Sequence, residues 1–127
     1  MTMYWKVIKS CLPLTRESFE GRATREEYWM FRLVDFFIGG GILLLARMVG
    51  EEDNPAIYNG FLLWLAGIYY AVTWIPRMAV AIRRMHDTNS SGWWAWIPLF
   101  SLLLATIDSD EGPNKYGENP KHAMETV

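Results

Sequence analysis

Two stretches without a single charged residue bound what this chain can become. Ala56 to Pro76 is 21 residues long, and Thr88 to Ile107 is 20. A run of about 18 or more such residues reads as a membrane-helix candidate, because that length of helix covers most of a hydrocarbon core. Between the two runs stands Arg83-Arg84-Met85-His86-Asp87, and Ser90-Ser91-Gly92-Trp93-Trp94 follows. A cluster of two arginines, a histidine and an aspartate therefore falls where a membrane helix meets water. Such a cluster either anchors the chain to lipid headgroups or builds a site.

The rest of the chain fits an all-α integral membrane protein. With 127 residues it is one domain, and 51% hydrophobic and 15% aromatic content excludes a disordered chain. A net charge of −2 without a basic, aromatic-rich patch argues against a nucleic-acid partner. The single cysteine, Cys11, allows no intramolecular disulfide. Residues 1–14 mix Trp5, Lys6 and Lys9 into apolar positions. That pattern lacks the apolar core of a cleaved signal and reads as a short amphipathic helix in the headgroup layer, ended by Pro13. The first membrane helix then serves as the targeting signal.

Thr24 with Glu27 three positions on forms a capping box that opens the first span. The span itself covers residues 28–49, about 33 Å of helix. Gly39-Gly40-Gly41 in its middle lets a neighbouring helix come close. An acidic turn, Glu51 to Pro55, leads to a second span over 56–82, which contains Pro76. Residues 83–92 read as a polar connection. The third apolar stretch, 93–107, contains Pro98 and reaches only about 22 Å, so it is either a short span or a re-entrant segment. Residues 108–127 read as an irregular tail.

Five basic residues, Lys6, Lys9, Arg16, Arg22 and Arg25, precede the first span, and Arg47 alone lies near its far end. The positive-inside rule puts the N-terminus in the cytoplasm, in a multi-pass topology. Arg32, Asp35 and Arg77 fall inside the spans, where a charge costs about 2.5–3.5 kcal/mol at mid-helix and faces a partner. Asp35 and Arg77 sit at matching depths on antiparallel helices, so they are expected to pair, with Arg32 sharing Asp35 at i,i+3 spacing. The alternatives are a structural clamp and an ion path. The clamp is preferred, because a path needs titratable groups at successive depths and none lies nearer the outer face.

Three motifs resemble the domain-of-unknown-function 805 family of small bacterial inner-membrane proteins. They are Gly21-Arg22-Ala23-Thr24-Arg25-Glu26-Glu27-Tyr28-Trp29-Met30-Phe31, then Arg83-Arg84-Met85-His86-Asp87 with Ser91-Gly92-Trp93-Trp94, then Gly112-Pro113-Asn114-Lys115-Tyr116-Gly117-Glu118-Asn119-Pro120. The chain departs from the pattern at Asn89, where the family usually has glycine. The resemblance implies an inner-membrane protein and brings no established activity.

The site expectation is a cytoplasmic-face cluster of Arg22, Arg25, Arg83, Arg84, His86, Asp87 and Trp93, binding anionic phospholipid or a protein partner. His86-Asp87 could open a metal-dependent hydrolase site, but a closed metal site wants three or four ligands and the other histidine, His122, lies in the tail. Neither a metal nor a cofactor is expected, and no enzyme. Trp93, Trp94 and Trp96 read as an interfacial aromatic belt, with a quinone or lipid pocket as the alternative and the belt preferred. The rival readings are a small transporter or channel subunit built by homo-oligomerisation around the intramembrane charges, and a lipid-modifying enzyme using His86 and Asp87.

Overall fold

The computed structural model describes residues 5, 6, 8, 9, 16–49 and 55–125. Cys11, Pro13 and the acidic residues 51–53 lie outside the described residues. The described chain is helical throughout, apart from loops and an isolated antiparallel bridge between Asn114 and Gly117.

A single 3-10 turn, Arg16–Phe19, precedes helix α1, Arg25–Val49. The N-cap half of the expected box opens α1: the Glu27 N–H donates to Thr24 Oγ1 at 3.1 Å, while Glu27 Oε1 lies 3.6 Å from Arg83. Glu26 and Glu27 in the first turn and Arg47 in the last complement the helix dipole. Helix α2, Pro55–Asp87, has 33 residues, about 50 Å of rise. That exceeds the roughly 30 Å hydrocarbon core, so one end must project beyond it.

Helix α2 corrects the expected second boundary. Arg83 to Asp87 are its last turn, not part of a connection. The helix stops at a Schellman turn. Asn89 N–H donates to His86 O at 3.0 Å and Ser90 N–H to Met85 O at 2.9 Å. Asn89 takes the left-handed conformation that this turn requires, with φ 55°. Glycine is the unstrained residue there, which gives the family's usual glycine a physical reason.

The third apolar stretch is two short pieces, a 3-10 turn Gly92–Trp96 and helix α3, Pro98–Thr106, with extended Ile97 between them. Nine residues of α3 rise only about 14 Å. The tail also departs from expectation. It carries the Asn114–Gly117 turn and a short helix α4, Pro120–Glu125. Positive φ angles at Gly112 and Gly117, 76° and 130°, are the places where the turn needs glycine.

The chain divides into two compact units. The first comprises the described residues up to Phe31 and from Ile75 onward, and the second is the segment from Arg32 to Trp74. The first unit has its own apolar core. Tyr28 and Phe31 of α1 pack with Val80 and Met85 of α2 and with Ala95 and Ala105, and Ile8 joins from the N-terminal segment. Trp5, Lys6, Ile8 and Lys9 are helical, with Lys9 Nζ 5.4 Å from the centroid of the Trp5 ring.

The second unit is apolar outside. Phe36 and Phe37 are 70% and 71% exposed, and Leu44, Trp64 and Val72 also face outward. A soluble protein buries such side chains. The best apolar windows of α1 and α2 are only 22% and 33% buried, so these are not core helices of a soluble domain. Both are long and apolar enough to cross a membrane. Of the three glycines, Gly39 is the one at a close approach. A Cβ there would overlap the Tyr70 hydroxyl and lie 2.8 Å from its Cζ, whereas Gly40 and Gly41 face open space.

Candidate functional site

Asp87 ends α2, where the helix dipole is negative and a carboxylate is unfavourable. Two arginines offset this. Arg22 Nε donates to Asp87 Oδ1 at 2.9 Å, and Arg84 Nη1 donates to Asp87 Oδ2. All three side chains are essentially inaccessible, Arg22 at 1% and the others at 0%. A buried carboxylate between two guanidinium forks has charge compensation and hydrogen bonds to both oxygens, the condition under which buried charge is tolerated.

All but one of the remaining donors of the two arginines tie the surrounding loops; Arg84 Nε is buried without a hydrogen-bond partner among the described residues. Arg22 reaches Gly112 O and Asp110 O at 2.9 Å each, and Gly117 O and Asp87 O at 3.3 Å each. Arg84 reaches Ala23 O and Leu104 O at 3.4 Å each, and also Ile107 O. Asn114 Nδ2 donates to His86 O, and Asn119 Nδ2 to Asp110 O. Asn114 Oδ1 in turn accepts the Tyr116 N–H, which holds the turn closed. The three sequence motifs, far apart in the chain, therefore meet in one buried polar knot.

These contacts define the path of the third apolar stretch. Gly92 starts beside Ile82 and His86, where an added Cβ would lie 2.8 Å and 3.3 Å from their side chains. Its far end, Leu104 to Ile107, lies against Arg84, and Asp110 N–H donates to Asp87 O at 3.3 Å. Both ends of the stretch return to the same end of α2. It is a hairpin, held in addition by the Trp29 indole N–H on Ala105 O at 3.2 Å.

The expected headgroup cluster is thus divided. Arg22, Arg84 and Asp87 are corrected from lipid-facing to internal, because all three are consumed by the knot. Arg83 is mostly buried and 3.6 Å from Glu27 Oε1. Arg25 is exposed. Trp93 is 80% exposed. His86 is half-buried: its ring stacks on Tyr116 with centroids 3.9 Å apart, and Nδ1 lies 3.1 Å from Gly21 O. Among the described residues no three His, Cys, Asp or Glu side chains are grouped to hold a metal.

Asp35 is buried in the second unit, where the Tyr69 hydroxyl donates to its Oδ1 at 2.9 Å. Tyr69 is a partner that the depth argument did not supply. Arg32, in the same unit, and Arg77, in the first, are half-buried. The missed signal for the knot was Asp87 itself, an acid at a helix C-terminus that requires cationic compensation.

The family described as "Protein of unknown function (DUF805)" matches residues 17–118, a stretch that includes Arg22, Arg84, Asp87 and the Asn114–Gly117 turn. The chain belongs to this family. Among its members' relatives in Escherichia coli K12, the chain is 34% identical over 128 residues to inner membrane protein YhaI, covering 95% of this chain and 97% of that protein. It is 36% identical over 128 residues to inner membrane protein YhaH, covering 95% and 98%. A 91-residue stretch is 29% identical to the uncharacterized protein YiiR, covering 68% of this chain and 53% of that protein. No solved structure matches. The inner-membrane relatives and the two long apolar helices agree on a membrane protein, the described chain is all-helical, and the family description assigns no activity.

Proposed function

We propose that this protein is a non-enzymatic, two-span protein of the bacterial inner membrane whose first unit faces the cytoplasm and docks on anionic headgroups. The observation that supports this is the partition of charge. Of 12 lysines and arginines, all but Arg32 and Arg47 belong to the first unit. The positive-inside rule assigns such a unit to the cytoplasmic side, and anionic lipid of that leaflet attracts each nearby cation by about 1 kcal/mol.

Not every cation is available for docking. Arg22 and Arg84 are spent on Asp87, and Lys121 Nζ bridges Asp108 Oδ1 at 2.5 Å. Lys6, Lys9 and Arg25 are exposed, and Trp5 is 55% exposed beside Lys9. A helix with exposed tryptophan and lysines suits the headgroup layer.

The test is lipid selectivity in detergent-purified protein, read by mass spectrometry of retained phospholipid. Wild type should retain phosphatidylglycerol over phosphatidylcholine, less so at high salt. Replacing Lys6, Lys9 and Arg25 together with Gln should remove most of that preference while the fold persists. An unchanged preference in the triple variant contradicts the reading.

A further inference from the structure

A cavity of about 320 Å³ opens on the first unit, lined by Ile82, His86, Ser91, Gly92, Trp93, Trp96 and Tyr116. Its residues come from the last two turns of α2, the start of the hairpin and the tail turn. The motifs that build the knot therefore also bring this lining together. The volume lies within the range of small-molecule sites, roughly 300–1,000 Å³.

The polar chemistry of the cavity follows from one hydrogen bond. Gly21 O can only accept, so the contact at 3.1 Å makes His86 Nδ1 the protonated nitrogen. In the neutral ring Nε2 then carries a lone pair. That atom faces the Gly92 side of the cavity, 3.3 Å from where a Cβ on Gly92 would stand. A side chain at position 92 would crowd both Nε2 and the Ile82 methyl. The ring itself is fixed, stacked on Tyr116 at an interplanar angle of 8°.

The lining therefore offers flat aromatic walls, a fixed neutral acceptor and the Ser91 hydroxyl. It includes no carboxylate, lysine or arginine. The cation beside it is Lys115, whose Nζ lies 4.9 Å from the centroid of the Tyr116 ring, outside the lining; a cationic headgroup finds no counter-charge in the lining. Trp93 and Trp96, 80% and 58% exposed, are residue types favoured where a membrane meets water. We infer that this cavity binds the head of a membrane-soluble phenol or quinol, its ring held between the tryptophans and its hydroxyl donating to His86 Nε2. The inference rests on the cavity's own residues and is independent of headgroup docking by Lys6, Lys9 and Arg25.

The experiment is isothermal titration calorimetry of the full chain in a non-aromatic detergent, without oxygen. The probes are trimethylhydroquinone and its dimethyl ether, with glycerol as a non-aromatic polyol. The hydroquinone should bind saturably and about tenfold more tightly than the ether, the effect of one unmade hydrogen bond. Trp93→Ala, at an exposed position outside the knot, should weaken hydroquinone binding about fivefold or more. His86→Phe keeps a ring against Tyr116 and removes the acceptor, so it should bind both probes alike. Equal binding of hydroquinone and ether by wild type would mean apolar adsorption alone and would overturn the inference. So would tighter binding of glycerol, no saturable binding of hydroquinone, or no effect of Trp93→Ala. The ether comparison and the Trp93 variant decide the question even if His86→Phe fails to fold.

Discussion

Arg22 Nε lies 2.9 Å from Asp87 Oδ1, joining positions 65 residues apart through two buried side chains. This contact brings the segment before α1 onto the end of α2. The other forks of Arg22 add the tail turn, and Arg84 adds the end of the hairpin. A carboxylate serving two arginines makes the knot sensitive at its centre. Asp87→Ala should cost about 3–5 kcal/mol, because two guanidinium groups are left buried without a counter-charge. Arg22→Lys should cost about 1–3 kcal/mol, since an ammonium cannot span Asp87 and three loop carbonyls as a planar fork does. Thermal unfolding in mild detergent checks both, and a wild-type midpoint for Asp87→Ala would dismiss the knot as a stabilising element.

Asn89 tests the end of α2. Its φ of 55° is a left-handed conformation that Gly and, less readily, Asn adopt and most other residues resist. Asn89→Ala should therefore lower stability by about 1–2 kcal/mol, while Asn89→Gly should not lower it. The same unfolding assay compares the two. Equal losses for Ala and Gly would contradict the left-handed turn.

The Asp108–Lys121 bridge supplies a pH signature outside the membrane. The Asp108 carboxyl is held below its ordinary value, first by the hydrogen bond from Lys121 and then by that from the Ser109 N–H. A carboxyl depressed in the folded state contributes stability above its unfolded value, and that contribution is lost as pH falls through the folded one. The pair is well exposed, at 61% for Asp108 and 45% for Lys121. Its effect on stability should accordingly be small. Carboxyl NMR titration gives the direct reading: Lys121→Gln should move the Asp108 midpoint upward. An unmoved midpoint would remove the bridge as the cause.

Much of this fold is legible in the sequence because lipid imposes simple rules. Charge-free length gave α2, and Thr24 with Glu27 gave the start of α1, whose apolar length is interrupted by Arg32 and Asp35; the other charge-free run, Thr88 to Ile107, became the hairpin. The end of α2 was harder to read. Arg83 to Asp87 look like a loop because they are polar, yet helical hydrogen bonding continues until Asn89 can turn left-handed. Arg22, Arg84 and Asp87 look like headgroup ligands for the same reason. Their burial depends on contacts among three distant segments, which no local pattern encodes. The tail misled through its composition: Gly112 and Gly117 are there for positive φ, and Asn114 and Asn119 for hydrogen bonds to fixed carbonyls, so turn-rich sequence meant a specific turn. The hairpin was half legible. Its shortness and Pro98 left span and re-entry open, and Arg84 on Leu104 and Ile107 shows the return.

In the proposed topology α1 and α2 cross the membrane while residues 93–107 return to the side they left, so that the N-terminal segment and the tail share the cytoplasm. Cysteine labelling in intact cells tests it most directly, in a Cys11→Ser background, with single cysteines at Asn54 and at exposed Glu118. A membrane-impermeant thiol reagent should label Asn54→Cys from the periplasm and Glu118→Cys only after lysis. Labelling of Glu118→Cys in intact cells, with Asn54→Cys also labelled, would mean that the third stretch crosses the membrane and would contradict the account.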